Sequence, residues 1–210
     1  MGQVGAVETS RAAWESIGQK LPSPHLGCPA FIQSFDHFAK VLPANGRVLD
    51  LGCGIGAVAR LLVAQGFDVF GIDFAEAMIA AARTAVPEAT FVQQSMLDIS
   101  FDGEFDGVLA SYSLLGLTPS QFDLVAGKIA RALKPGGATL IALNEPDAGE
   151  DQDGSSISEI GGHSMYSRTY SEAEVRRAFS SLEVLSVERG IVSSDFYGDE
   201  RCLCVLMAKT

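Results

Sequence analysis

A buried strand that runs into three glycines and then a helix leaves few folds open, and Val48-Leu49-Asp50-Leu51-Gly52-Cys53-Gly54-Ile55-Gly56 reads as such a segment. Val48 to Leu51 is a short apolar run of the length expected for a strand covered on both faces. Gly52, Gly54 and Gly56 let the backbone turn sharply with no Cβ in the way, and the helix predicted from Ala57 aims its first N–H groups at the same place. A turn of this kind joins a parallel strand to its crossover helix, so the rest of the chain should alternate between strands and helices.

The pattern after Pro43-Ala44-Asn45-Gly46 follows that rhythm. Strands are predicted over 48–51, 68–72, 90–93, 105–110 and 138–143, with helices over 57–65, 75–85 and 121–133 between them. Such a series gives a parallel sheet with helices on both faces and right-handed crossovers. Two amphipathic stretches, Thr9 to Lys20 and Phe31 to Leu42, come first and read as helices laid over the core. Pro146 to His163 is acidic, rich in Gly and Ser and without period, and reads as a long exposed loop or lid. Ser171 and Glu174 form a capping box for a helix over 171–181. The last two strands, 184–188 and 202–207, have no helix between them and should pair antiparallel. The expectation is one domain over 1–210, a doubly wound, Rossmann-like, seven-stranded mixed sheet. Its parts are a helical cap (1–43), a cofactor-binding core (44–145), a lid (146–170) and a C-terminal helix with the strand pair (171–210).

Composition narrows the function classes. Fifteen basic against 26 acidic residues give a net charge of −11, which repels a phosphate backbone and argues against nucleic acid. The start of the chain has neither a basic leader nor an apolar run, and no later stretch approaches a membrane span, so a cytoplasmic protein with no membrane partner is expected. Cys28, Cys53, Cys202 and Cys204 show no zinc spacing and read as buried free thiols.

Asp73 ends the second predicted strand, where a carboxylate can accept hydrogen bonds from both ribose hydroxyls of a nucleoside. With Ala57 the glycine turn also fits the G-x-G-x-x-A dinucleotide fingerprint. From these residues alone, NAD and S-adenosylmethionine remain equal candidates.

Further stations separate them. Val48 to Gly56, with Asp50 two positions before the first glycine, resembles the first motif of the class I S-adenosylmethionine-dependent methyltransferases. Gly71-Ile72-Asp73, Ser95-Met96-Leu97-Asp98, Phe105-Asp106-Gly107-Val108-Leu109-Ala110 and Leu133-Lys134-Pro135-Gly136-Gly137-Ala138-Thr139-Leu140 follow in that family's order. The resemblance implies S-adenosylmethionine as cofactor and S-adenosylhomocysteine as product. By the same resemblance, the backbone of Gly52, Cys53, Gly54 and Gly56 holds the methionyl part with Asp50 close by, and Asp73 holds the ribose. Asp98 meets the adenine amino group, Phe74, Met96 and Leu97 cover the ring, and Ser111 offers its backbone near the cofactor amine.

Methyl transfer asks mainly for alignment in a dry site, with a base only where the acceptor must lose a proton. His163, near Tyr166 and Tyr170, is the candidate base; His25 and His37 fall in the cap. Tyr112, Ser113, Asn144, Tyr166 and Trp14 are candidate contacts for a small-molecule acceptor, with Phe31, Phe35 and Phe38 either lining a chamber or packing helices. Asn144-Glu145 supplies half of a magnesium site, but Ser111 to Ser113 has no carboxylate for the other half, so no metal is expected. The expected activity is transfer of a methyl group to oxygen or nitrogen of a small organic molecule. The rivals are an NAD-dependent oxidoreductase, for which no Tyr-x-x-x-Lys pair is present, and a non-catalytic cofactor-binding module.

Overall fold

A computed structural model describes residues 4–17, 20, 22–147, 155–160, 162–195 and 198–210. Helices are α1 (Val4–Ile17), α2 (Pro29–Val41), α3 (Ala57–Ala64), α4 (Glu76–Ala85), α5 (Pro119–Ala132) and α6 (Glu172–Ala178). Strands are β1 (Arg47–Leu51), β2 (Asp68–Asp73), β3 (Thr90–Gln93), β4 (Phe105–Ser111), β5 (Leu133–Asn144), β6 (Ser155–Ile160), β7 (His163–Arg168), β8 (Glu183–Ser194) and β9 (Gly198–Ala208).

Seven strands form one sheet in the order β3-β2-β1-β4-β5-β9-β8. β1 to β5 are parallel, while β9 runs antiparallel to both β5 and β8. The winding direction reverses between β1 and β4, and an open sheet of this kind leaves a crevice at the carboxyl ends of the two strands on either side of that reversal.

Alternation along β1 divides the core. Val48 joins one buried cluster with residues of α2 and α3, whereas Leu49 and Leu51 join the other with residues of α5 and α6. Covering a parallel sheet on both faces is what made these strands near-continuous apolar runs.

Two matched stations turn out to build the fold at the far end of the sheet. The Asp106 carboxylate accepts from the backbone N–H of Arg47 at 2.8 Å and from Lys134 Nζ at 2.9 Å. This joins the starts of β1, β4 and β5. Gly136, at φ +78, donates its N–H to Lys209 O, so the turn before the buried part of β5 also anchors the end of β9.

The structure corrects three expectations. α2 is a core helix rather than a cap: Phe31, Phe35, Phe38 and Leu42 are buried in the first cluster. A Cβ on Gly107 would stand 2.6 Å from Leu42 Cδ1, a measure of how closely this end of the helix meets β4. Residues 155–160 and 163–168 pair antiparallel as β6 and β7, instead of lying in an open loop. The hairpin is docked by backbone and tertiary bonds, Arg168 N–H to Leu115 O at 2.9 Å and Tyr166 N–H to Ser10 Oγ at 3.4 Å, which leave no periodic apolar face to read in the sequence. The acidic residues 148–154 of that expected loop lie outside the described residues. β8 and β9 also extend well past the apolar runs that marked them, and their polar ends stay paired down to Ser194 opposite Gly198.

The four cysteines are free and buried, and Cys202 and Cys204 leave the same face of β9 with their sulfurs 3.5 Å apart. Among the described residues no helix is long and apolar enough to cross a membrane.

Candidate active site

β1 ends by carrying an acid into the interior. Asp50 is 2% exposed and its Oδ2 has no hydrogen-bond partner among the described residues. Burial first, and the nearby Asp73 charge second, push its carboxyl up to about 7. The turn that follows is tied to β2: Gly52 and Cys53 donate their N–H groups to Ile72 O at 2.8 and 2.9 Å. Gly54 N–H donates to Asp73 Oδ2 at 3.0 Å, and Ala75 N–H to Asp73 Oδ1 at 2.9 Å. Burial raises the Asp73 carboxyl as well, against these two backbone bonds.

The three glycines have different jobs. Gly52, at φ +76, has no room for a Cβ, which would stand 2.3 Å from Ser113 Cβ; the Ser113 hydroxyl donates to Leu51 O at that same crossing. Gly54, at φ +51, would carry its Cβ into open space. Gly56, at φ +82, packs α3 against Ala82 of α4 and does not line the cavity.

Above the turn lies a cavity of about 340 Å³, within the size range of ligand sites. Asp50, Gly52, Cys53, Gly54, Asp73, Phe74, Met96 and Leu97 line one end, and Ser111, Tyr112, Ser113 and Asn144 lie at the strand tips. Trp14 and Tyr166 close it from α1 and β7. α1 is fastened over the opening by Glu15, whose carboxylate accepts the N–H groups of Glu76 (2.7 Å) and Ala77 (3.0 Å) at the start of α4. Helix α4 has no side-chain cap of its own at Ala75, so Glu15 supplies one from another element. Arg11 lies over the Phe74 ring at 5.5 Å on the same side.

A model of a methyltransferase domain matches residues 48–137. An uncharacterized methyltransferase of Synechocystis is 39% identical over 102 residues, 48% of this chain and 48% of its own length. The trans-aconitate 2-methyltransferase of Methylobacterium nodulans is 35% identical over 115 residues, 53% of this chain and 43% of its own. The chain thus spans less than half the length of these curated relatives. In fold it is similar to the Burkholderia thailandensis 1,6-didemethyltoxoflavin-N1-methyltransferase, with a TM-score of 0.77, 20% identity, and coverage of 100% of this chain and 91% of that one. The matched segment begins at Val48, just before the glycine turn, and ends at Gly137, inside the last of the ordered stations. Over this segment the chain is similar to methyltransferases.

Most of the residues singled out from sequence meet at one cavity, and three do not. Asp98 is exposed and lies outside the lining, on the one-turn helix Met96–Asp98 that carries Met96 and Leu97 inward. Gly56 serves packing, as above. His163 opens β7 opposite Ile160 and is not among the cavity residues, because the strand is docked through its later residues, Tyr166 on Ser10 and Arg168 on Leu115, and it is Met165 to Ser167 that reach the wall. His37 likewise points elsewhere, with Nδ1 3.2 Å from Ser186 Oγ.

Two polar residues of the cavity wall, His25 and Glu200, were not among the candidates read from sequence. His25 stacks on Tyr112 with ring centroids 4.5 Å apart, and burial lowers its imidazole to about 4, so it is neutral at pH 7. Tyr112 is held at φ +57, an uncommon conformation for a residue with a bulky side chain, by its N–H bond to Ala142 O. Glu200 reaches the cavity from β9, where its carboxyl is raised by burial. Its only sequence signal is an acidic residue two positions before an alternating apolar strand. Glu145 faces away, bound to Arg189 and Arg201. Among the described residues no group of three or more His, Cys, Asp or Glu is placed to hold a metal ion.

Proposed function

We propose that this protein transfers a methyl group from S-adenosylmethionine to a small organic acceptor and releases S-adenosylhomocysteine. The observation that carries the reading is Asp50: a carboxylate buried to 2% exposure in a residue that lines the cavity, with one oxygen unpartnered among the described residues. An orphan anion of this sort is costly unless a cation meets it, and the cofactor brings an ammonium and a sulfonium.

The other residues at that end fit the remaining parts of the molecule. Asp73 uses one lone pair of each oxygen on backbone N–H groups and keeps the others for a ribose diol. The open space beside Gly54 would admit the methionyl chain against the backbone. Phe74, Met96 and Leu97 would supply apolar surface to the adenine ring. When bound, S-adenosylmethionine supplies an electrophilic methyl on a sulfonium leaving group. The chain then has to align the acceptor with that methyl and keep water away, which Trp14, Tyr112 and Tyr166 would do from three sides of the cavity.

His25 is too weak a base at about pKa 4 to hold a proton at neutral pH, so we assign it to positioning through its stack on Tyr112. The likeness to relatives named for a toxoflavin precursor and for trans-aconitate supports a small-molecule acceptor, and both oxygen and nitrogen acceptors suit a site without a strong base. The experiment is incubation with S-adenosylmethionine and a panel of small hydroxyl and amine acceptors, following released S-adenosylhomocysteine. Acceptor-dependent release that disappears in Asp50→Ala is the expected result. Release equal with and without every acceptor contradicts transfer.

A further inference from the structure

The acceptor end of the cavity holds a polar pair, Glu200 and Asn144, that the described residues satisfy only in part. Register places Val192 opposite Glu200, and Asn144 opposite Cys202. Residues two apart on a strand share a face, and directly opposed residues share it too, so Glu200, Val192 and Asn144 stand on one face of the sheet. All three line the cavity.

The Asn144 amide donates to the Glu200 carboxylate, which leaves the Asn144 Oδ1 buried with no partner. Glu200 has no ion pair among the described residues. The nearby cations are spent elsewhere, Arg189 and Arg201 on Glu145, and Arg11 over Phe74 at the opposite end. What this wall offers is therefore the remaining acceptor capacity of the Glu200 carboxylate beside the Asn144 Oδ1, with no further donor among the described residues. Around them the walls are flat and aromatic: the His25–Tyr112 stack, Trp14 and Tyr166. The cation that lines the cavity, Arg11, lies over Phe74, so a ligand carboxylate set against Glu200 would meet a like charge with no cation beside it.

We propose that this subsite selects a planar small molecule carrying an amidine-like edge, that is, an amino-substituted heterocycle or amidine whose adjacent N–H groups bind Glu200 and Asn144 Oδ1. A carboxylate-bearing acceptor is excluded by the same groups. The inference rests on the proposed function for the identity of this space as the acceptor end. The donor–acceptor argument itself comes from Glu200 and Asn144 alone.

The test uses benzamidine and benzoate, two probes of the same ring size and opposite edge chemistry. Their binding is titrated by calorimetry or ligand-observed NMR into the protein, with and without saturating S-adenosylhomocysteine. Benzamidine should bind at least about tenfold more tightly than benzoate, as expected for a charge-assisted pair in a desolvated site. Glu200→Gln should erase most of that preference while its affinity for S-adenosylhomocysteine stays within about twofold of wild type, since Glu200 lies at the other end of the cavity. Equal or tighter binding of benzoate overturns the proposal, as does an unchanged preference in Glu200→Gln, or no detectable binding of either probe at millimolar concentration. The wild-type comparison decides even if the variant folds poorly. Failure of S-adenosylhomocysteine to bind would count against the cofactor reading instead, and the arm without it still decides this one.

Discussion

The Gly54 N–H donates to the Asp73 carboxylate across 3.0 Å, so the turn after β1 and the tip of β2 close on one another as a single cradle. Gly52 sets the other side of that cradle by admitting Ser113 where a side chain would be. Gly52→Ala therefore puts a methyl group 2.3 Å from Ser113 Cβ at a positive φ, and should cost at least about 2 kcal/mol of stability. Gly54→Ala meets no protein atom and should cost only about 1 kcal/mol of backbone strain, yet its methyl enters the ligand's space and should weaken S-adenosylhomocysteine binding. Thermal unfolding paired with titration separates the two; equal melting temperatures for both variants would contradict this division of roles.

Asp50 makes the ligand-free protein sensitive to pH. Its carboxyl is raised to about 7 in the folded state, so between about pH 4 and 7 the folded protein holds a proton that the unfolded chain has released. Stability from this group declines as pH rises through that window and stays low above it. Asp73 is raised too and acts in the same direction. Asp50→Asn cannot ionise, and at pH 8 it should stabilise the ligand-free protein by about 1–3 kcal/mol while binding the cofactor poorly. A stability difference between wild type and variant that is flat from pH 5 to 8 would contradict the burial of an ionising group here.

Glu15 holds α1 in place by capping α4 through two backbone N–H groups. Glu15→Ala should lower stability by about 1 kcal/mol, and hydrogen exchange should quicken at the start of α4 and along α1 before the sheet is affected. Uniform exchange across the chain would mean that α1 is held by other contacts.

The two histidines make opposite predictions. His163→Ala, outside the cavity lining, should leave methyl transfer within about twofold of wild type. His25→Ala removes the stack on Tyr112 and should raise KM more than it lowers kcat, with no titration near pH 6.5 in the wild-type rate profile. A rate that falls with an apparent pKa near 6.5, and loses that dependence in His25→Ala, would assign His25 a proton-transfer role.

What could be read from sequence follows from which physical signals are local. The parallel strands were legible because a sheet buried on both faces needs runs such as Val48 to Leu51 and Leu140 to Leu143, and the capping box of α6 is written in Ser171 and Glu174. The cradle was legible because Asp50, the glycines and Asp73 sit within one strand–turn–helix–strand unit. The hairpin was not: Ile157 is 72% exposed, and the backbone bonds that dock β7 on the rest of the domain reach residues more than fifty positions away. Phe31, Phe35 and Phe38 show the helical stripe of any packed helix, which does not tell a lid from a core layer. His25 and Glu200 belong to the site only because distant chain segments bring them there, and a polar residue at a strand end carries no local mark of what it will face.

The central claim is that the acid at the end of β1 and the glycine turn beyond it hold an adenosyl sulfonium. Calorimetric titration of the ligand-free protein with S-adenosylhomocysteine, and separately with NAD, tests this most directly. One site of saturating heat for S-adenosylhomocysteine, weakened at least about tenfold in Asp50→Asn, with none for NAD, is the expected result. No heat with S-adenosylhomocysteine or S-adenosylmethionine, alongside tight binding of NAD, would contradict it.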